Sequence, residues 1–305
     1  MHLRWRSFAL ICLACFWSAS LAVSAAVAQE APLRWSLKTG EAYLLQFDQQ
    51  TTSDVAFAAK KATTSIDLKI DLAWTVTDAD QEAMKIKQTV RRVQFKVVSP
   101  TAGGFEYDSN QQSRPTGPAT DIAAAVSPLL KTVFELKLSP RGKVLEVKSS
   151  GTAEEAASKA SNPGNDATPA TALQRLLRQP LIVFPEDPIS AGDTWKTSSD
   201  LSAGGADLKQ QTTWKHAGAV ERNGIKLEKI EMQAAIEAPA EMPPGNLRIK
   251  EHQQSGTIFF SSKLGRLIEA EQTQKLITER PYRDTTITVT LTSKQTTTLK
   301  PEAVE

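Results

Sequence analysis

Every second residue from Ile66 to Val76 is apolar: Ile66, Leu68, Ile70, Leu72, Trp74 and Val76 alternate with Asp67, Lys69, Asp71, Ala73 and Thr75. Successive side chains on a strand point to opposite faces, so the run predicts a strand with one wet side. Met84, Ile86 and Val90 hold one phase of a second strand and Val93, Phe95 and Val97 the other, with the slip at Arg91-Arg92. One inserted residue there is a β-bulge. Ile287, Val289 and Leu291 repeat the period between strand-favouring threonines. Ser139-Pro140-Arg141-Gly142 and Asn223-Gly224 supply tight turns. Strands are predicted around 42–57, 64–77, 83–98, 132–148, 206–220, 225–237, 246–261, 266–279 and 285–299.

Helix signals are few. Thr120 or Asp121 could cap a short helix through Ile122, Val126 and Leu129, with Pro128 weakening its end. Thr168-Pro169 opens another, with Leu173, Leu176 and Leu177 on one face and Pro180 as its stop. Pro100 to Pro118 and Gly151 to Asp166 read as loops, the second as a linker between the halves. Those halves resemble each other. Gly40-Glu41-Ala42-Tyr43 matches Gly192-Asp193-Thr194-Trp195, Trp74 matches Trp214, and Ser139 to Glu146 matches Ser262 to Glu269. The expected fold class is mainly β, α+β by a small margin. Long curved antiparallel sheets carry one or two short helices, in two similar repeated units. The expected segments are 1–28, a signal peptide; 29–150, a first antiparallel unit; 151–168, a flexible linker; and 169–305, a second unit. A transmembrane barrel is the minor alternative, which the polar loops and the Pro185-to-Gly192 stretch disfavour.

The signal peptide expectation rests on Arg4 and Arg6, the apolar run Phe8 to Val23, and Ala26-Val27-Ala28 as a cleavage site before Gln29. Lipidation at Cys15 and an uncleaved anchor are the alternatives. The rest of the chain holds no cysteine, so its stability must come from packing, and a chain of this length buries about 75% of its unfolded surface. The whole sequence carries 36 basic and 34 acidic residues, and loss of Arg4 and Arg6 would leave it neutral. That excludes the basic footprint of a nucleic-acid binder. No later stretch is apolar enough for a membrane helix.

Candidate chemistry is sparse. Asp67 and Asp71 share a strand face, as do Glu269 and Glu271, but each pair lies beside a cation and reads as a solvated face. His216 and His252 stand without the His and Cys clusters that zinc needs. No Gly-x-Ser-x-Gly element and no phosphate-cradling glycine loop occurs. No catalytic, metal or cofactor residue is therefore assigned. Trp35, Tyr43, Trp74, Trp195 and Trp214 allow two readings: core anchors of the sheet, or the lining of an apolar surface for a lipid or glycan.

Leu33-Arg34-Trp35-Ser36-Leu37-Lys38-Thr39-Gly40-Glu41, Pro185-Glu186-Asp187-Pro188 leading to Gly192, and Gly256-Thr257-Ile258-Phe259-Phe260 complete a pattern. It resembles uncharacterised secreted proteins of planctomycete-type bacteria, classified as a domain of unknown function. The resemblance implies export and a β-rich fold, and supplies no activity. By elimination the leading expectation is an exported, periplasmic or extracellular, non-enzymatic protein with a binding or structural role. The alternatives are a carrier of a lipid or other apolar ligand in a curved sheet, and a carboxylate-based hydrolase. The expected partner is a protein or an apolar small molecule.

Overall fold

The computed structural model describes residues 32–100, 103–150, 182–203, 206–237 and 248–302. The expected signal peptide, linker and second helix lie outside these residues. The elements run in the order β1 (Ala42–Phe57), β2 (Lys60–Ala79), β3 (Met84–Ser99), β4 (Gly103–Asp108), α1 (Pro118–Leu130), β5 (Val133–Leu138) and β6 (Val144–Ser150). They continue with β7 (Thr194–Ala203), β8 (Ala206–Arg222), β9 (Ile225–Glu237), β10 (Arg248–Ser261), β11 (Arg266–Tyr282) and β12 (Thr285–Pro301).

All twelve strands join one antiparallel sheet in the order β6-β5-β3-β2-β1-β12-β11-β10-β9-β8-β7, with β4 added beside β3. The sheet is open, its edges β6 and β7, so the barrel alternative does not form. Mainly β with long antiparallel strands is the observed class. The two halves meet at β1 and β12, which pair from Tyr43↔Pro301 to Phe57↔Ile287. The slip at Arg91-Arg92 is a bulge: Asp71 faces Arg92 while Leu72 faces Val90, leaving Arg91 over.

Three details differ from the sequence reading. The segment 132–148 is two strands around the Ser139–Gly142 turn, where Gly142 N donates to Ser139 O at 2.8 Å. β4 forms inside the expected 100–118 loop because Arg92 and Gln94 hold Asp108 at its end. Helix α1 starts earlier, at Pro118 behind Gly117, because proline presets the helical φ and loses an N–H that had no partner there. It continues past Pro128 because only the last turn is affected, and Thr132 Oγ1 returns a hydrogen bond to Pro128 O at 2.8 Å.

The core occupies one end of the sheet. Tyr43, Leu45, Phe47, Ile70, Leu72, Met84, Ile86, Ile258, Phe260, Leu267 and Leu299 are buried on its inner face. Two extended segments seal that end. Trp35 N donates to Pro140 O at 2.7 Å and Ser36 N to Gly265 O at 2.8 Å, so 33–37 ties the β5–β6 turn to the β10–β11 turn. Phe184 N donates to Arg141 O at 2.8 Å in the same place. Gly142 and Gly265 permit this approach. Both have positive φ, and a Cβ would lie 2.1 Å from Ile182 O at Gly142 and 2.5 Å from Ser36 Cβ at Gly265.

Candidate functional site

The five aromatic candidates fall into two cross-strand pairs and one plug. Tyr43 faces Trp74 between β1 and β2, and Trp195 faces Trp214 between β7 and β8. Trp195 and Trp214 stack with centroids 6.2 Å apart, and Trp195 continues through Phe184 and Phe260 to Trp35. Trp35, Tyr43, Trp74 and Trp214 are buried and Trp195 is half-buried. Each polar handle has a partner within the chain: Trp35 with Ile182 O, Trp74 with Gln88, Trp195 with Val183 O, Trp214 with Thr197, and Tyr43 with Glu41. The Tyr43 hydroxyl is pushed above its ordinary range by burial and by Glu41. A ligand could reach these rings only after 33–37 and 182–184 had moved aside.

The larger concavity is on the opposite face. A groove of about 630 Å3 crosses β8 to β12 and is lined by hydroxyl, amide and charged side chains. Its geometry follows from register. One transverse row runs Thr194, Lys215, Glu231, Thr257, Glu271, Thr296, and the next Thr213, Gln233, Ser255, Thr273, Lys294. Side chains directly opposite on neighbouring strands are in contact range; Ser255 and Thr273 hydroxyls are 3.2 Å apart. Gly256 lies beneath the groove, where an added Cβ would meet Glu271 O at 2.6 Å, so β10 approaches β11 closely there.

Lys215 and Lys294 balance Glu231 and Glu271 in the groove. Lys229 donates to Glu231 at 2.8 Å and holds that carboxyl below the usual range. Arg222 reaches Glu269 at 2.8 Å and Glu271 at 4.0 Å. Asp71 accepts from Gln46. The carboxylate pairs are thus engaged by neutral or cationic neighbours. His216 is buried against Glu228 at 3.0 Å, and burial lowers the pKa of His252. Among the described residues, no group of three or more His, Cys, Asp or Glu is placed to hold a metal ion. None of the groove residues was singled out in the sequence, although Thr286-x-Thr288-x-Thr290-x-Thr292 marks a polar outer face.

The family model for a family of unknown function, DUF6263, matches residues 81–302, the stretch that builds β3 to β12 and the whole groove. The chain belongs to that family. Of solved structures, the chain is similar to one titled for lipid–protein interactions in lipovitellin, at 10% identity and a TM-score of 0.46, over 88% of this chain. It spans 26% of that lipovitellin chain. It is also similar to a putative exported protein with a YmcC-like fold from Bacteroides fragilis, at 7% identity and a TM-score of 0.27, over 90% of this chain and 100% of that one. A COG4313 outer membrane channel from Pseudomonas putida F1 aligns at 8% identity and a TM-score of 0.24, over 87% and 97% of the two chains. None of these likenesses is close enough to hand on a property. No curated protein matches the chain. Among the described residues, no helix is long and apolar enough to cross a membrane, which says nothing of strands.

Proposed function

We propose that the protein is an exported, non-enzymatic binding protein of the cell envelope, and that the groove across β8 to β12 receives a protein partner of mixed charge. The observation that carries this reading is the groove's lining. Its hydroxyls, amides, two lysines and two glutamates make a neutral, hydrogen-bonding surface with no aromatic platform for a sugar ring. The strands beneath it are interior to the sheet, with backbone groups already paired, so recognition falls to side chains. Export is read from residues 1–28. A carrier of apolar ligands would need a continuous apolar concavity, and the packing of the five aromatics against chain segments gives that alternative less support.

A photo-crosslinking residue at Thr273, in protein expressed in its native host, tests the reading. The expected result is a discrete protein adduct that Lys294→Glu abolishes and that an identical crosslinker at Ser65 does not form. Absence of any adduct, or equal adducts at both positions, overturns it.

The same hydrogen bonds recur in the two halves. Gly40 N donates to Val76 O and Val76 N to Glu41 O, as Gly192 N does to His216 O and His216 N to Asp193 O. Glu41 and Asp193 also accept from the backbone three residues earlier, each at 2.7 Å. These shared turns support a duplicated unit, which we offer with the function.

A further inference from the structure

The strands at the centre of the sheet extend well past the core. Phe57 stands ten residues beyond the buried Phe47, roughly 33 Å at about 3.3 Å per residue. There the β1–β2 and β11–β12 hairpins end side by side. Phe57 pairs with Ile287, and the rings of Phe57 and Tyr282 meet edge to face at 5.6 Å. Yet both rings stay exposed, Phe57 by 37% and Tyr282 by 45%. An aromatic pair held at the outermost point of two adjoining turns gains little from folding.

Charge at the same point is one-sided. Lys61 is paired with Asp54 and Glu279 with Lys250. Lys60, Arg280 and Arg283 have no acidic partner among the described residues; Arg283 lies over the Tyr282 ring at 5.5 Å. Asp284 is the one acid at the tip without an ion pair there. Three free cations thus surround two exposed rings. Exposed aromatics at a headgroup boundary with cations beside them match the chemistry of an anionic lipid surface, where rings enter the interface and cations meet phosphates.

We infer that the paired β1–β2 and β11–β12 tips dock on the surface of an anionic lipid bilayer, with Phe57 and Tyr282 entering the interface and Lys60, Arg280 and Arg283 contacting headgroup phosphates. The groove lies on another part of the sheet, so this docking is independent of what the groove binds.

Vesicle flotation of the full chain tests the inference, with phosphatidylcholine vesicles containing phosphatidylglycerol against phosphatidylcholine alone. The chain is expected to float with the anionic vesicles only, and less so as salt is raised. Arg280→Glu with Arg283→Glu is expected to weaken binding by about tenfold or more, and Phe57→Ser with Tyr282→Ser by a similar factor. Lys294→Glu in the groove should change nothing. Circular dichroism melts of the exposed-site variants confirm that they fold. No flotation with anionic vesicles, or flotation indifferent to both tip variants, overturns the proposal. So does sedimentation showing a dimer that the tip variants dissolve, which would make a second copy the occupant.

Discussion

One transverse row of inner-face residues shows how differently the two halves use the same sheet. From β4 it runs Tyr107, Phe95, Leu68, then Gln49, Gln295, Gln272, then Gly256, Met232, Trp214 and Trp195. On the β1–β6 side the apolar end is covered: α1 packs Val126 and Leu129 inward, with Ile122, Phe95, Phe105 and Leu68 joining the core. Across β12 to β10 the row turns polar. Gln210 donates to Gln254 at 3.3 Å, Gln254 to Gln272 at 3.2 Å, and Gln274 lies 3.1 Å from His252. The strands are alike, and what differs is whether the inner face has an apolar cover to pack against. A glutamine band satisfies its own amides laterally and needs no lid, whereas a Leu-Phe face is stable only beneath one.

Removing the cover should break this contrast most strongly. Leu129→Ala opens a cavity under α1 and is expected to lower stability by about 2–5 kcal/mol, read from urea unfolding. Hydrogen exchange should then rise in β3 and β4 while β10 and β11 keep their protection; equal loss everywhere would mean the halves do not differ in cover. Next in size, Gly142→Ala and Gly265→Ala should each cost about 1–3 kcal/mol, since each places a Cβ into backbone or ring atoms at positive φ. Similar costs would sharpen the equivalence of the two turns, and a tolerated Gly265→Ala would break it. The row itself can be exchanged. Leu68→Gln is expected to destabilise by about 2 kcal/mol, while Gln272→Leu stays within about 1 kcal/mol, because its hydrogen bond is a modest net contributor.

The smallest effect is on pH. Burial lowers the His252 pKa, so the unfolded chain takes the proton first. Its contribution is therefore complete above the ordinary histidine value of about 6.5 and lost as pH falls through it towards the lower folded value. His252→Gln should flatten that limb of the stability profile measured by thermal melts. An unchanged limb would locate the acid sensitivity elsewhere, with the Arg92-held Asp108 acting at lower pH.

Much of the frame was legible. Period-two alternation located β1 and β9 to the residue, and the phase slip located the Arg91 bulge, because a half-buried strand writes its two faces directly into sequence. β4 and β7 were less visible, since edge strands rich in Gly, Ser and Thr lack an apolar face to read. The groove was not legible. Its residues are ordinary solvent-face positions separately, drawn from β7 to β12, and only their register aligns Glu231 with Thr257 and Glu271. The five aromatics carried the opposite difficulty: sequence showed their size, while burial depended on the extended segments 33–37 and 182–184 crossing the sheet's end.

Alternation, turn glycines and an absence of catalytic clusters are local properties, and the sequence alone determined them: long antiparallel strands, their hairpins, and a chain without a recognisable reaction centre. Tertiary structure decided what strands do to one another at a distance. It paired β1 with β12 to join the halves, closed the aromatic end, curved β10 against β11 at Gly256 into a groove, and left Phe57 and Tyr282 together at an uncovered tip. The physical reason is that strand hydrogen bonds form between segments far apart in the chain, so the neighbours of a side chain follow from register and not from adjacent residues.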